Sequence, residues 1–264
     1  MELKRARACV LRVGGTNCDE EIKVALEELG LRTDVVHMDW LEKGDVHKYQ
    51  LLVFPGGFSY GDYVRAGAVW GKRVVSKIRR DLERFIESGR LVMGICNGFQ
   101  VLVESGALPG GDGAFSETPK AVLANNSSAR YECRWTYLRC ENGSTPFTSK
   151  IPVGEVLKIP VGHGEGRFIV ESEELLRELI KENRVTFRYA LPSGKAAEGA
   201  YPFNPNGSEY DIAAICNKEG NVMGMMPHPE RAFFGWQAVG YGGPEGAGDG
   251  RRIFESIIEH IEGL

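Results

Sequence analysis

The sequence predicts an α/β fold: a doubly wound, mostly parallel sheet with helices on both faces and antiparallel extensions. Three observations carry this expectation. In the first hundred residues, short β-prone runs alternate with stretches whose apolar residues recur at helical spacing. The runs at 51–54 and 91–95 are continuous and apolar, as strands covered on both faces require. The second half carries further strand patterns at 131–140, 156–160, 185–189, 211–216 and 222–226, which extend a sheet in the antiparallel sense.

Taken in order, residues 8–13 form the first strand and end at the turn Gly14-Gly15-Thr16-Asn17. Asn17 followed by Glu20 resembles a capping box, and Ile22, Ala25, Leu26 and Leu29 mark one helical face, which Gly30 closes. Residues 33–38 and 51–54 are the next strands, the latter broken by Pro55-Gly56-Gly57. Val75, Ile78, Leu82, Phe85 and Ile86 line one face of a second helix, and 91–95 is the fourth strand. A helix at 174–181 interrupts the later strands. A glycine-rich segment, 239–250, precedes a C-terminal helix at 251–262, whose inner face is Ile253, Ile257, Ile258 and Ile261. That segment reads as a surface loop, with a lid or partner contact as the alternative. No linker divides the chain, so residues 1–264 are expected to form one domain.

Composition narrows the function. With 32 Lys and Arg against 36 Asp and Glu, the formal charge is −4, which excludes a globally basic surface for nucleic acid or anionic lipid. The six cysteines are scattered without a C-x-x-C pair, against a zinc site or a disulfide framework. The first residues lack the apolar stretch of a signal peptide, and no run of about 18 apolar residues offers a membrane span. A cytoplasmic location is the expectation.

Three motifs carry chemistry. Gly94-Ile95-Cys96-Asn97-Gly98 follows an apolar strand and precedes Phe99-Gln100-Val101-Leu102, a helix start. This is the pattern of a nucleophile elbow with cysteine as the nucleophile. A sharp strand-to-helix turn pushes the sulfur outward, near a helix N-terminus that favours a thiolate, and aims the Asn97 N–H into the same space. In Pro227-His228-Pro229-Glu230, proline holds His228 extended, so that His228 and Glu230 can face one pocket and the carboxylate can orient the ring. In Phe54-Pro55-Gly56-Gly57-Phe58, a glycine pair after a central strand presents the Gly57 and Phe58 amides at the sheet's carboxyl edge, where they can complete an oxyanion hole. Each motif alone has a plain structural reading as a turn. Together they supply nucleophile, base, orienting carboxylate and oxyanion donors for acyl transfer through a thioester.

These segments, in this order, resemble the class I, triad-type glutamine amidotransferases. The likeness extends through residues 56–63, Arg65-Ala66-Gly67, Glu132-Cys133-Arg134-Trp135, His163-Gly164-Glu165-Gly166-Arg167-Phe168, the Tyr201-Pro202 and Asn204–Ser208 stretch and residues 224–231. Within that class it is to the glutaminase-subunit family of phosphoribosylformylglycinamidine synthases. The resemblance implies a flavodoxin-like glutamine amidotransferase fold and glutamine as substrate. Cys96 would attack the carboxamide, His228 would shuttle protons and Glu230 would support it. Gln100 would contact the substrate. It implies a synthetase subunit and a small bridging subunit as partners, with ATP and magnesium on the synthetase and no cofactor or metal on this chain. Two other readings stay open: a cysteine hydrolase or glutaminase of another amidotransferase, and a non-catalytic scaffold of the same fold. His163-Gly164-Glu165-Gly166 lacks the ligands of a metal site and reads either as a pocket rim or partner contact, or as a plain glycine-rich hairpin. Cys18 has no base near it in the sequence.

Overall fold

The computed structural model describes residues 3–41, 46–111, 113–238 and 246–264. The alternating first half folds as β1 (Arg7–Arg12), α1 (Asp19–Glu28), β2 (Arg32–His37), a short α2 (Met38–Leu41), β3 (Leu51–Phe54), α3 (Ala68–Lys77), α4 (Arg79–Glu87), β4 (Leu91–Ile95) and α5 (Asn97–Glu104). The second half contributes β5 (Ala121–Ala124), β6 (Glu132–Cys140), β7 (Val156–His163), β8 (Arg167–Val170), α6 (Glu173–Lys181), β9 (Val185–Ala190), β10 (Ile212–Cys216), β11 (Val222–Met225) and α7 (Arg251–Gly263).

Nine of these strands make one sheet in the order β2-β1-β3-β4-β11-β10-β9-β6-β7. From β2 to β11 every neighbour is parallel, and from β11 to β7 every neighbour is antiparallel. The chain leaves β1 toward β2 but leaves β3 in the other direction, toward β4. Right-handed crossovers therefore place α1 on one face and α3 with α4 on the other. The helices form two groups accordingly: α1 touches α7, and α3 touches α4 and α5. β3, β4 and β11 are buried along their whole length, which is why they read as unbroken apolar runs.

Four local differences from the sequence reading have physical causes. The capping box at Asn17 does not form: α1 starts at Asp19 with Cys18 as its cap residue and no side-chain cap. The Asn17 and Cys18 N–H groups instead both donate to the Gly56 carbonyl, at 3.1 and 3.2 Å, tying the first turn to the turn after β3. The single helix inferred from Val75 to Ile86 is two helices, broken at Ile78 (φ −128°, ψ 5°). The apolar spacing runs through the break because Ile78, Leu82, Phe85 and Ile86 all face the core. Strands β5 and β8, unread in the sequence, pair antiparallel in a separate two-stranded sheet. The segment 163–166 is consequently no hairpin, since β7 and β8 belong to different sheets.

Part of the glycine-rich segment, 239–245, lies outside the described residues. Its end is strapped down: Gly235, Gly248 and Gly250 N–H groups donate to the carbonyls of Gly246, Phe233 and Ala232 at 2.6, 2.8 and 2.9 Å.

A close approach in the core lies where α5 crosses the end of β3. A Cβ on Gly98 would stand 1.9 Å from the Phe54 carbonyl oxygen, so only glycine fits. Gly98→Ala should therefore destabilise the fold by about 1–3 kcal/mol or more through overpacking. Urea unfolding should show a lower midpoint, and an unmoved midpoint would refute this account of the helix-on-strand contact.

Candidate active site

The parallel register of β4 with β11 pairs Ile95 with Met225, and that of β3 with β4 pairs Phe54 with Gly94. The three segments that follow these strands therefore emerge side by side at the carboxyl edge, where open α/β sheets receive ligands. They carry Gly56 and Gly57, Cys96, and His228, the three motifs separated in the sequence.

Cys96 links β4 to α5 with φ 51° and ψ −106°, a left-handed backbone that a residue with a side chain rarely adopts. Its N–H donates to the Met225 carbonyl at 2.7 Å, and its Sγ lies 3.6 Å from the Gly162 carbonyl. The sulfur opens into a cavity of about 220 Å³ lined by Gly57, Phe58, Asp62, Gln100, Tyr131 and residues 162–165. Larger hollows exist, one of about 540 Å³ beside Arg12, Asp34 and Trp40, but it holds no Cys96-like nucleophile.

His228 and Glu230 meet at 2.6 Å, Nδ1 to Oε1, both almost fully buried. The geometry differs from the extended chain inferred from sequence: His228 is extended, but residues Pro229–Ala232 turn immediately into a 3-10 helix. The carboxylate reaches the ring across the start of that turn. Burial alone would depress the imidazole, but Glu230 and then the facing Cys96 and Cys18 side chains outweigh it and raise His228 well above its ordinary value of 6.5. Gly56 leaves room for the ring, since a Cβ there would stand 2.7 Å from the imidazole Cε1.

The oxyanion candidates separate. The Gly57 N–H has no acceptor among the described residues. The Asn97 N–H lies in the first turn of α5, where helical N–H groups lack partners. The Phe58 N–H is committed to the Gly15 carbonyl at 2.8 Å, which removes it as a donor in this arrangement. Phe58 instead contributes its ring, set against that of Tyr131 at 6.4 Å. Gln100 borders the cavity, yet both ends of its amide are engaged: Nε2 donates to the Glu165 carbonyl at 2.5 Å, and Oε1 accepts from Asn97 Nδ2 at 2.9 Å. Its place fits buttressing of the rim better than contact with a ligand.

Three features were not legible from spacing. Cys18 has a base nearby in space: its Sγ is 3.8 Å from His228 Nδ1 and accepts from Arg231 Nη2 at 3.2 Å. Burial pushes this thiol up to about 11. Cys18, His228 and Glu230 have ligand-capable atoms within 4.8 Å of one another, but the Arg231 cation on the sulfur opposes a metal ion there. His163, buried at the end of β7, lies between Asn126 Oδ1, 3.1 Å from its Nδ1, and Asn206 Nδ2, 3.5 Å from its Nε2. Burial, then the nearby His228 charge, push it down to about 3, so it is a neutral wall of the cavity. Tyr131, just before β6, closes another side.

A family profile for a CobB/CobQ-like glutamine amidotransferase domain matches residues 5–261. The phosphoribosylformylglycinamidine synthase subunit PurQ of Archaeoglobus fulgidus is 45% identical over 100% of both chains, and that of Thermus thermophilus 44% over 86% of this chain and 89% of its own. This chain belongs to the PurQ family. A chain in the structure of PurLQS from Thermotoga maritima, 36% identical, superposes with a TM-score of 0.73 over 97% of this chain and 99% of that one. The acivicin-bound glutaminase domain of Trypanosoma brucei CTPS, at 12% identity, shares the fold with a TM-score of 0.55, over 97% of this chain and 94% of its own.

If Glu230 is what holds the charge on His228, Glu230→Gln lowers the pH at which the imidazole loses its proton. The sign follows from removing the cause that raises it. NMR of the imidazole over pH should show His228 losing its proton at lower pH in Glu230→Gln than in the parent, and an unmoved titration would sink this assignment.

Proposed function

We propose that this chain is the glutamine-hydrolysing subunit of phosphoribosylformylglycinamidine synthase, with Cys96 as nucleophile, His228 as acid and base, and Glu230 as the group that orients and charges His228. The observation that carries the reading is the convergence of Cys96, His228 and Glu230 at one sheet edge beside an amino-acid-sized cavity. Membership of the PurQ family supports the substrate and the pathway.

The Cys96 sulfur attacks the glutamine carboxamide carbon while its proton resides on His228. The oxygen of the tetrahedral intermediate is met by the Gly57 and Asn97 N–H groups. His228 gives its proton to the departing nitrogen, ammonia leaves, and a γ-glutamyl thioester remains on Cys96. His228 then takes a proton from water, which attacks the thioester, releasing glutamate and restoring the sulfur. The ammonia passes to a synthetase subunit that makes formylglycinamidine ribonucleotide, and a small third subunit bridges the two. ATP and magnesium belong to the synthetase in this scheme, and this chain holds no cofactor. The site suits a covering partner, since Tyr131 in the cavity lining exposes 53% of its surface, and Tyr63 and Val64, which follow the lining residue Asp62 in the chain, expose 76% and 87%.

Cys96→Ala should abolish glutamine-dependent synthesis by the assembled complex and leave synthesis from added ammonia intact. Equal loss of both activities would refute the division of labour. In the same assay His228→Ala should cost on the order of 10²–10⁴ in glutamine-dependent rate, and a loss under ten-fold would remove His228 from the proton-transfer role.

A further inference from the structure

The cavity next to Cys96 is chemically one-sided. Its lining includes two carboxylates, Asp62 and Glu165, and no lysine or arginine among the described residues. Arg65, whose charge also reaches Glu165, is held by Glu104, Nε to Oε1 at 2.6 Å and Nη2 to Oε2 at 2.7 Å. The imidazole in the wall, His163, is neutral. Glu165 accepts the Ala66 N–H at 3.1 Å, and Asp62 accepts from Asn97 Nδ2 at 3.5 Å. Neither has an ion-pair partner among the described residues. Burial, and then the Glu165 charge, push Asp62 up to about 6.

The chain is also forced to put Asp62 there. Tyr60, Asp62 and Val64 all have left-handed backbones, with φ of 54°, 52° and 74°. A β-branched valine in that region is a strained arrangement, which persists where surrounding structure imposes it and which concentrates at ligand sites. Glu165 is fixed from the other side, because Gln100 Nε2 holds its carbonyl and Ala66 N–H its carboxylate.

We infer that Asp62 and Glu165 together bind the α-ammonium group of the substrate and so select an α-amino amide over a simple aliphatic amide. This rests on the glutaminase reading. With the carboxamide at Cys96, the far end of glutamine carries the one positive charge the substrate has. A cavity with two unpaired carboxylates matches that charge, and a charge-assisted hydrogen bond lost at such a site is felt in binding rather than in the chemical step.

The test compares ammonia release by the chain assembled with its synthetase subunit, using glutamine and glutaramate, the same amide without the α-amine. The variants are Glu165→Gln and Asp62→Asn, both isosteric and each keeping an acceptor for its present donor, so that one carries the test if the other fails to assemble. Each should raise KM for glutamine by about ten-fold or more, with kcat changed by less than about three-fold, and leave kcat/KM for glutaramate unchanged or higher. Discrimination between the two amides should therefore collapse. An unmoved KM for glutamine, or an equal loss with both amides, overturns the inference while leaving the glutaminase reading intact. A parent complex that releases no ammonia from glutamine refutes that reading itself, and this inference with it.

Discussion

The structure depends on one constraint: β11 lies beside β4, in parallel, with Met225 level with Ile95. That pairing brings together two segments 132 positions apart (228 − 96) and is sealed by the Cys96 N–H on the Met225 carbonyl. It also obliges the chain to reverse at Cys96 within one residue, because α5 must begin at once to cover β3 and β4. The left-handed backbone at Cys96 is the local cost of that reversal, of the order of 1–3 kcal/mol, and the wholly buried α5 that follows it holds the turn in place. A one-residue slip of β11 would carry the His228 turn away from the sulfur and leave both motifs intact but useless.

Within this frame two buried histidines are driven in opposite directions by what surrounds them. His228 faces a carboxylate and is raised, while His163 faces side-chain amides from Asn126 and Asn206 and is lowered. Burial disfavours the charged form of both, so the difference lies in the partners. An amide can satisfy a neutral imidazole without stabilising its proton, whereas Glu230 at 2.6 Å stabilises the imidazolium directly. The result is one charged and one neutral ring within a single site. Pairs of titratable groups separated in this way are how sites divide acid–base duty from shape.

The sequence revealed the elements whose determinants are local. Strands β1, β3 and β4 were visible because burial on both faces leaves continuous apolar runs, and α7 because its isoleucines recur on one face. The elbow, the His-x-Glu pair and the glycine turn were visible because each needs unusual residues at fixed spacing. Less legible was whatever depends on partners distant in the chain. The break at Ile78 leaves apolar periodicity unchanged, and the pairing of β5 with β8 joins two four-residue strands. The commitment of the Phe58 N–H to Gly15 follows from the turns after β1 and β3 lying together. Cys18 has no base nearby in the sequence, and its base comes from 210 positions away. The pairing of His228 and Glu230 was anticipated, but through an extended chain where the structure uses a tight turn.

The supporting residues around the cavity share a chemical character that explains how its few charges can matter. Asn97, Gln100, Asn126, Asn206 and Ser208 fasten α5, the segment between β7 and β8, and the loop before β10 to one another through neutral hydrogen bonds. Charged buttresses are kept outside: Arg65 is neutralised by Glu104, and Arg188 by Asp211. A wall made of amides and hydroxyls holds its geometry without adding net charge to the field inside. The charges left near a ligand are those of the Cys96–His228–Glu230 group and those of Asp62 and Glu165. In a small, partly desolvated space such charges are weakly screened. The polarity of the cavity, which a nucleophile and two carboxylates share, therefore follows from the neutrality of the amides and hydroxyls that hold it.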